Sequence, residues 1–163
     1  MMTTGDRAYF DCSVGIPYGD FDGKITASSE CSPNHSVKGC KLGQGAPTNG
    51  HAIAWCAKAK AQDPHPWIQV DFGMPLLLSA VSTQGREASN QYVTKFRVLV
   101  SQDGVNFVNT WEFAGNTNPT EIVKNRFPVP VQARVARIQI LDYQEHPSLR
   151  FDFHHIPPPY NLK

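Results

Sequence analysis

Trp67-Ile68-Gln69-Val70-Asp71-Phe72 alternates strictly, with Ile68, Val70 and Phe72 on one side of an extended chain and Trp67, Gln69 and Asp71 on the other. A period of two is the pattern of a half-buried β-strand. Downstream, the segments Leu77 to Thr83, Val93 to Ser101, Phe107 to Phe113, Val135 to Leu141 and Leu149 to His154 are rich in branched and aromatic residues. Turn formers such as Asp103-Gly104 and Gly115-Asn116 bound them, which predicts strands. Upstream, residues 13 to 50 are crowded with Gly, Pro, Ser and Asn and predict an irregular segment. No stretch has the spacing of an amphipathic helix. Several short strands without helices predict an antiparallel sandwich or barrel rather than a parallel α/β sheet.

The totals set the other bounds. A chain of 163 residues holds one well-buried core and is short for two, so residues 1–156 are expected to form one domain. Residues 157–163 begin with three prolines and are expected to form an exposed tail. Lys plus Arg number 15 against 14 for Asp plus Glu, a formal charge of +1. No block of like charge marks a nucleic-acid partner. The longest apolar runs are a few residues, too short for a membrane-spanning helix. Residues 1 to 12 carry Asp6, Arg7 and Asp11 and lack the apolar block of a secretory signal. The four cysteines, Cys12, Cys31, Cys40 and Cys56, do not have the paired C-x-x-C spacing of a structural zinc site, and no metal ligand set is expected from them.

Nine segments in order carry a resemblance: Ile25 to Ser29, Ala54-Trp55, Trp67 to Gly73, Thr83-Gln84-Gly85-Arg86, Tyr92 to Phe96, Ser101 to Gly104, Phe113 to Asn116, Ala133-Arg134 with Arg137-Ile138, and Leu149-Arg150-Phe151. Together they resemble the discoidin family, also called the coagulation factor V/VIII C-terminal domain family. The resemblance implies an all-β, eight-stranded, jelly-roll-like antiparallel sandwich with binding loops at one end. Ala54-Trp55-Cys56, Gln84-Gly85-Arg86 and His35 look closest to the amino-terminal domain of slime-mould discoidins, lectins for galactose and N-acetylgalactosamine. It also implies an extracellular or cell-surface setting and a part in cell adhesion. Many members join their ends by a disulfide, but the partner position for Cys12 falls near Ile156. Cys31 and Cys40, in one loop region, are candidates for a local bridge.

Three loops are expected to present the ligand site: Glu30 to Cys40 with Asn34 and His35, Ala57 to Pro66 with Asp63 and His65, and Arg86 to Tyr92 with Glu87 and Asn90. A membrane-inserting loop needs large apolar tips, each gaining roughly 1.5–3 kcal/mol on burial, and Ala88-Ser89-Asn90 offers almost none. Membrane insertion is therefore disfavoured. A sugar wants fixed polar groups and one aromatic face. On that basis Arg86 is the expected forked donor, Asp63 or Glu87 the acceptor, and Asn34, His35, His65 and Asn90 orienting groups. Tyr143 and His146 lie in the loop before the final strand and could reach the same end. Against this stand plainer roles: Arg86 bracing its loop, Glu87 merely solvated, and His35 holding the loop base. Trp55 and Trp67 are expected in packing, and Arg150 in an internal ion pair.

No G-x-S-x-G, H-E-x-x-H or P-loop pattern is present, so a binding module rather than an enzyme is expected. The pair Asp63 and Glu87 could imitate glycosidase carboxylates, but nothing in the sequence builds a deep cleft around them. No cofactor is expected. Sugar-binding relatives often hold a structural calcium where this chain has Asn49-Gly50, which lacks the favoured carboxylate, and a structural calcium there stays the alternative to none. The expected partner is a cell-surface glycan or glycoprotein, with self-association raising avidity. The alternatives are a protein- or peptide-binding adhesion module and an anionic-phospholipid binder using Lys38, Lys58 and Lys60.

Overall fold

The computed structural model describes residues 12–14, 24–43, 54–87 and 89–157. Asn49, Gly50, Ala88 and residues 158–163 of the tail lie outside them. Among the described residues eight strands form one antiparallel system: β1 (Cys12–Ser13), β2 (Ile25–Ala27), β3 (Trp55–Cys56), β4 (Trp67–Gln84), β5 (Tyr92–Ser101), β6 (Val108–Ala114), β7 (Val123–Gln144) and β8 (Ser148–Ile156). The order across the main path is β1-β8-β4-β7-β5-β6, with β2 added to β4 and β3 to β8. Two single 3-10 turns, Pro33–His35 and Val37–Gly39, are the helical segments among the described residues. The fold is the all-β antiparallel sandwich expected from the sequence.

Two segments expected as separate strands, around Ile68 and around Val81, are halves of the continuous β4. Between them the pairing with β7 shifts register from Asp71 to Leu76. Gly73, at φ +78°, supplies the backbone conformation that other residues resist, and its N–H donates to Asp71 Oδ1 at 2.8 Å. β7 likewise begins twelve residues before the expected start at Val135. Pro128 and Pro130 obscure that half of the strand in the sequence. They fall between Arg126 and Val131, where the β4 register breaks again. Proline lacks the ladder N–H, and a bulge is where that lack is tolerated.

The core follows the alternation at Ile68 and Val70, at Phe96 and Val98 and at Ile138 and Ile140, while residues 80–84 and 148–151 are buried on both faces. Ile68, Val70, Leu78, Val81, Val93, Phe96, Val98, Ile138, Phe151 and Phe153 are all buried. Each such side chain contributes roughly 1.5–3 kcal/mol. Trp55 is wholly buried, with its indole N–H donating to the Ser29 carbonyl at 2.9 Å. Trp67 packs differently from Trp55: Arg137 lies over its ring at 4.1 Å and over the Phe107 ring at 3.9 Å.

Because β4 and β7 bend through the sandwich, the segments 28–40, 57–66, 85–91, 114–122 and 142–148 come together at one end. Asp63 meets Ser28 and Ser29, His146 meets the Ala57 carbonyl, and Arg150 meets Gly85 and Pro119. The turns at Gly73 and Gly104 lie at the other end, where Arg134 bridges to Asp71.

The expected bridge between Cys31 and Cys40 is not formed. Both thiols are free, as is that of Cys56. The two 3-10 turns carry the chain from an exposed Cys31 to a Cys40 that is wholly buried in the core cluster. Cys31 lies instead beside Cys56, its amide donating to the Cys56 carbonyl at 2.9 Å.

Candidate functional site

At the loop end, a cleft of about 290 Å³ opens between the second loop and the C-terminal part of β7, lined by Lys60, Asp63, Pro64, Pro66, Leu141, Asp142 and Tyr143. Its size suits one or two sugar rings rather than a drug-sized ligand. Asp63 is held rigidly, Oδ2 accepting from Ser28 Oγ at 2.5 Å and from Ser29 Oγ at 2.6 Å. Ser28 and Ser29 in turn accept from the amides of Trp67 and Lys58, both at 2.9 Å. Asp63 is therefore both a loop brace and a cleft wall. Tyr143 is half-buried against the core, and Asp142 Oδ1 accepts from the Tyr143 amide at 2.9 Å. Carboxylates, an ammonium, an aromatic ring and proline faces thus share one small concavity.

A second group gathers behind the third loop. The Gln91 side-chain carbonyl accepts from Arg86 Nη1 at 3.1 Å and from Ser148 Oγ at 2.9 Å. Ser148 Oγ also lies 3.1 Å from Cys56 Sγ. Arg86 is half-buried, and its Nε is buried without a hydrogen-bond partner among the described residues. Gly85 allows this loop to close, since a Cβ there would lie 2.6 Å from the Gln91 carbonyl oxygen and 2.9 Å from Pro119 Cα. His35 stands nearby. Its Nδ1 is 2.7 Å from Ser32 Oγ, and burial, then the positive charges of Arg86 and His146, hold its pKa below the usual imidazole range. His146 Nε2 lies 2.6 Å from the Ala57 carbonyl.

The sequence-expected residues therefore divide. Asp63 and Tyr143 meet at the cleft. His35, Arg86 and His146 form the group behind it. Asn34, His65 and Asn90 are exposed on the loops. Glu87 is exposed and reaches Arg150 Nη2 at 4.0 Å, so the expected internal ion pair exists at the limit of contact. The stronger partners of the fully buried Arg150 are the carbonyl of Gly85 at 2.7 Å and that of Pro119 at 3.3 Å.

Asp142 and Leu141 were not expected at the cleft, and Lys60 was expected on its loop only for the anionic-phospholipid alternative. Leu141 and Asp142 fall at the end of an alternating strand, so their periodicity points to sheet packing and not to a site. Gln91 and Ser148 were also missed. Their roles depend on contacts across 57 positions of sequence, which no local pattern shows.

Comparison with known proteins agrees with this fold. Residues 24–153 match the family model described as F5/8 type C domain. Neuropilin-1 of Rattus norvegicus is 34% identical over 157 residues, which cover 88% of this chain but only 16% of neuropilin-1. Among solved structures, wild-type discoidin II from Dictyostelium discoideum superposes with a TM-score of 0.74 at 25% identity, covering 85% of this chain and 56% of that one. A family 32 carbohydrate-binding module of NanJ from C. perfringens, solved in complex with galactose, gives a TM-score of 0.69 at 17% identity and covers 89% of this chain and 99% of that one. The last likeness concerns the fold alone.

Proposed function

The chain belongs to the F5/8 type C domain family, and from that premise we propose that it is a non-catalytic binding module taking a galactose-type sugar at the Lys60, Asp63, Asp142 and Tyr143 cleft. The observation that carries this is the chemistry of the cleft wall: fixed carboxylates and an ammonium for hydroxyls, beside a ring and prolines for the apolar face of a pyranose. Among the described residues, the exposed large hydrophobics Met74, Val105, Val108 and Val129 lie outside the segments gathered at the loop end, and Ile122 and Leu141, which lie at that end, are not part of the three loops, whose tips carry no greasy anchor. The C. perfringens module supports the reading by holding galactose on a similar scaffold. Arg86, His35 and His146 then brace the loops behind the sugar, and Asn34, His65, Glu87 and Asn90 form a polar rim.

So shallow a site gives a Kd on the order of millimolar, about −4 kcal/mol. Useful avidity then comes from several copies, by self-association or within a longer chain. An extracellular or cell-surface setting follows from a glycan partner. Among the described residues no helix is long and apolar enough to cross a membrane.

A glycan array probed with a multimerised sample tests the proposal, with Lys60→Ala and Asp142→Ala as controls. Both residues are exposed, so the fold should survive each change. Galactose or N-acetylgalactosamine signals that fall about tenfold in both variants are expected. A silent array, or signals indifferent to both substitutions, sinks the assignment.

The cleft has a second reading. Asp63 and Asp142 beside an aromatic ring also suit the basic side chain of a peptide. Peptide binding that free galactose does not displace would favour that reading.

A further inference from the structure

Where the first loop meets β3 lies a cluster outside the proposed sugar cleft. The thiols of Cys31 and Cys56 and one imidazole nitrogen of His35 all lie within 4.8 Å of one another. The sequence concealed this set, because 24 positions separate the cysteines and no C-x-x-C pair announces it. The fold assembles it by holding the Cys31 amide on the Cys56 carbonyl at 2.9 Å and by turning the chain through Pro33–His35, which leaves an imidazole nitrogen within 4.8 Å of both sulfurs.

His35 supplies a second observation. Its Nδ1 is engaged at 2.7 Å by Ser32 Oγ, while its Nε2 is buried with no hydrogen-bond partner among the described residues. A buried nitrogen left without a partner is costly. A neighbouring hydroxyl that fixes one imidazole nitrogen is the usual way a metal-ligating histidine is oriented. A disulfide between Cys31 and Cys56 would leave that nitrogen unsatisfied, whereas a cation between all three would not.

We propose that Cys31, Cys56 and His35 form a binding site for a thiophilic divalent cation, zinc(II). Two thiolates and an imidazole are a soft ligand set that suits zinc. A tetrahedral zinc needs its ligand atoms roughly 3.5–3.8 Å apart, so the separations present, none above 4.8 Å, contract by no more than about 1.3 Å. Binding is a ligand exchange without redox change: each thiol loses its proton to solvent as its sulfur bonds to the metal. Two thiolates cancel the 2+ charge, so the centre can sit near the cationic Arg86 without a net penalty. Cys31 is exposed, so water or an outside donor completes the fourth position. The ion would tie the first loop to β3, next to the Ser148 and Gln91 contacts that hold Arg86.

The test needs no sugar, so its outcome is separable from that of the array. Protein isolated without reductant is assayed for zinc and for free thiols. After reduction and removal of metal it is titrated with cobalt(II), followed by displacement with zinc(II). About one zinc per chain, a thiolate-to-cobalt charge-transfer band saturating at one equivalent, and a raised Tm are expected. Cys56 is buried and its replacement could unfold the chain, so Cys31→Ser and His35→Gln carry the comparison, each checked for an unchanged circular dichroism spectrum. Each should weaken binding by about tenfold or more. Zinc-free protein with Cys31 and Cys56 joined as a disulfide overturns the proposal, as does a cobalt spectrum without the charge-transfer band or one that neither variant alters.

Discussion

Thr83 Oγ1 donates to Asn116 Oδ1 at 2.8 Å, and Asn116 Nδ2 returns a hydrogen bond to the Thr83 carbonyl at 3.0 Å, with both residues buried. The same Nδ2 also reaches the Glu121 carbonyl at 2.8 Å. One amide thus fixes the loop 114–122 to the end of β4. Asn116→Ala would take this partner from the Thr83 hydroxyl and carbonyl in the interior and from the Glu121 carbonyl at its edge, and unpaired buried groups cost about 1–3 kcal/mol each before relaxation. A loss of about 3 kcal/mol in urea unfolding is expected, against a smaller loss for Thr83→Val. Equal losses for the two would contradict the central role given to the amide.

Arg150 makes a related prediction. Its guanidinium is wholly buried, and burial lowers its pKa. The carbonyls of Gly85 and Pro119 hold it more closely than Glu87 does. Glu87→Gln should therefore change stability by less than about 1 kcal/mol, because its partly exposed pairing is screened. Arg150→Met should cost about 2–4 kcal/mol through the orphaned carbonyls. Thermal unfolding of the two variants ranks the partners, and a larger effect for Glu87→Gln would reverse them.

The closure of the third loop depends on the absence of a side chain at position 85. In Gly85→Ala the new Cβ would press on the Gln91 carbonyl oxygen at 2.6 Å and Tyr92 Cβ at 2.7 Å, atoms fixed by the sheet. Overpacking of this kind costs about 1–3 kcal/mol, and the Arg86 loop should shift. Amide chemical shifts report it: changes confined to position 85 and its two neighbours would show that the contact is looser than described.

Acid should act at the opposite end of the sandwich. Arg134 Nε and Nη2 donate to Asp71 Oδ1 at 3.2 Å and Oδ2 at 3.0 Å, and with the Gly73 amide they hold the Asp71 carboxyl below its ordinary range. The unfolded chain, with an Asp pKa of about 3.9, then binds the proton more readily. The bridge's contribution is complete above that value and is lost as pH falls through the lower native one. Asp71→Asn should flatten the decline of stability below about pH 5, an effect kept modest by the bridge's partial exposure. Denaturation midpoints from pH 6 to pH 3 measure this, and parallel curves for the two proteins would refute it.

Arg137 sits between Trp67 and Phe107 and donates from Nε to Gln69 Oε1 at 2.8 Å. Arg137→Met keeps most of the apolar stem and loses the stacked cation, so a cost of about 1–2 kcal/mol is expected. Chemical unfolding of Arg137→Met and Trp67→Leu, singly and together, should show that the two losses do not add.

Much of the scaffold was legible along the chain, because burial of one strand face imposes alternation on neighbouring residues, and Ile68 and Val70, Phe96 and Val98, and Ile138 and Ile140 obey it. Where the chain bends, that signal fails. Gly73 and the prolines at 128 and 130 interrupt the pattern of strands that continue through them. The site was legible only in outline: the loops that carry Asp63, Tyr143, Arg86 and His35 were identified, but not which of these residues meet.

The sequence alone determined an all-β chain, its family, its buried faces and the polar character of its loop tips, since each of these is written in the order of adjacent residues. The tertiary structure decided that Asp63 shares a cleft with Asp142, that Gln91 holds both Arg86 and Ser148, and that Cys31 lies against Cys56 instead of Cys40. These are meetings of side chains far apart in the chain. Their distances depend on how far two long strands bend and on the register they keep, which no local spacing of residues encodes.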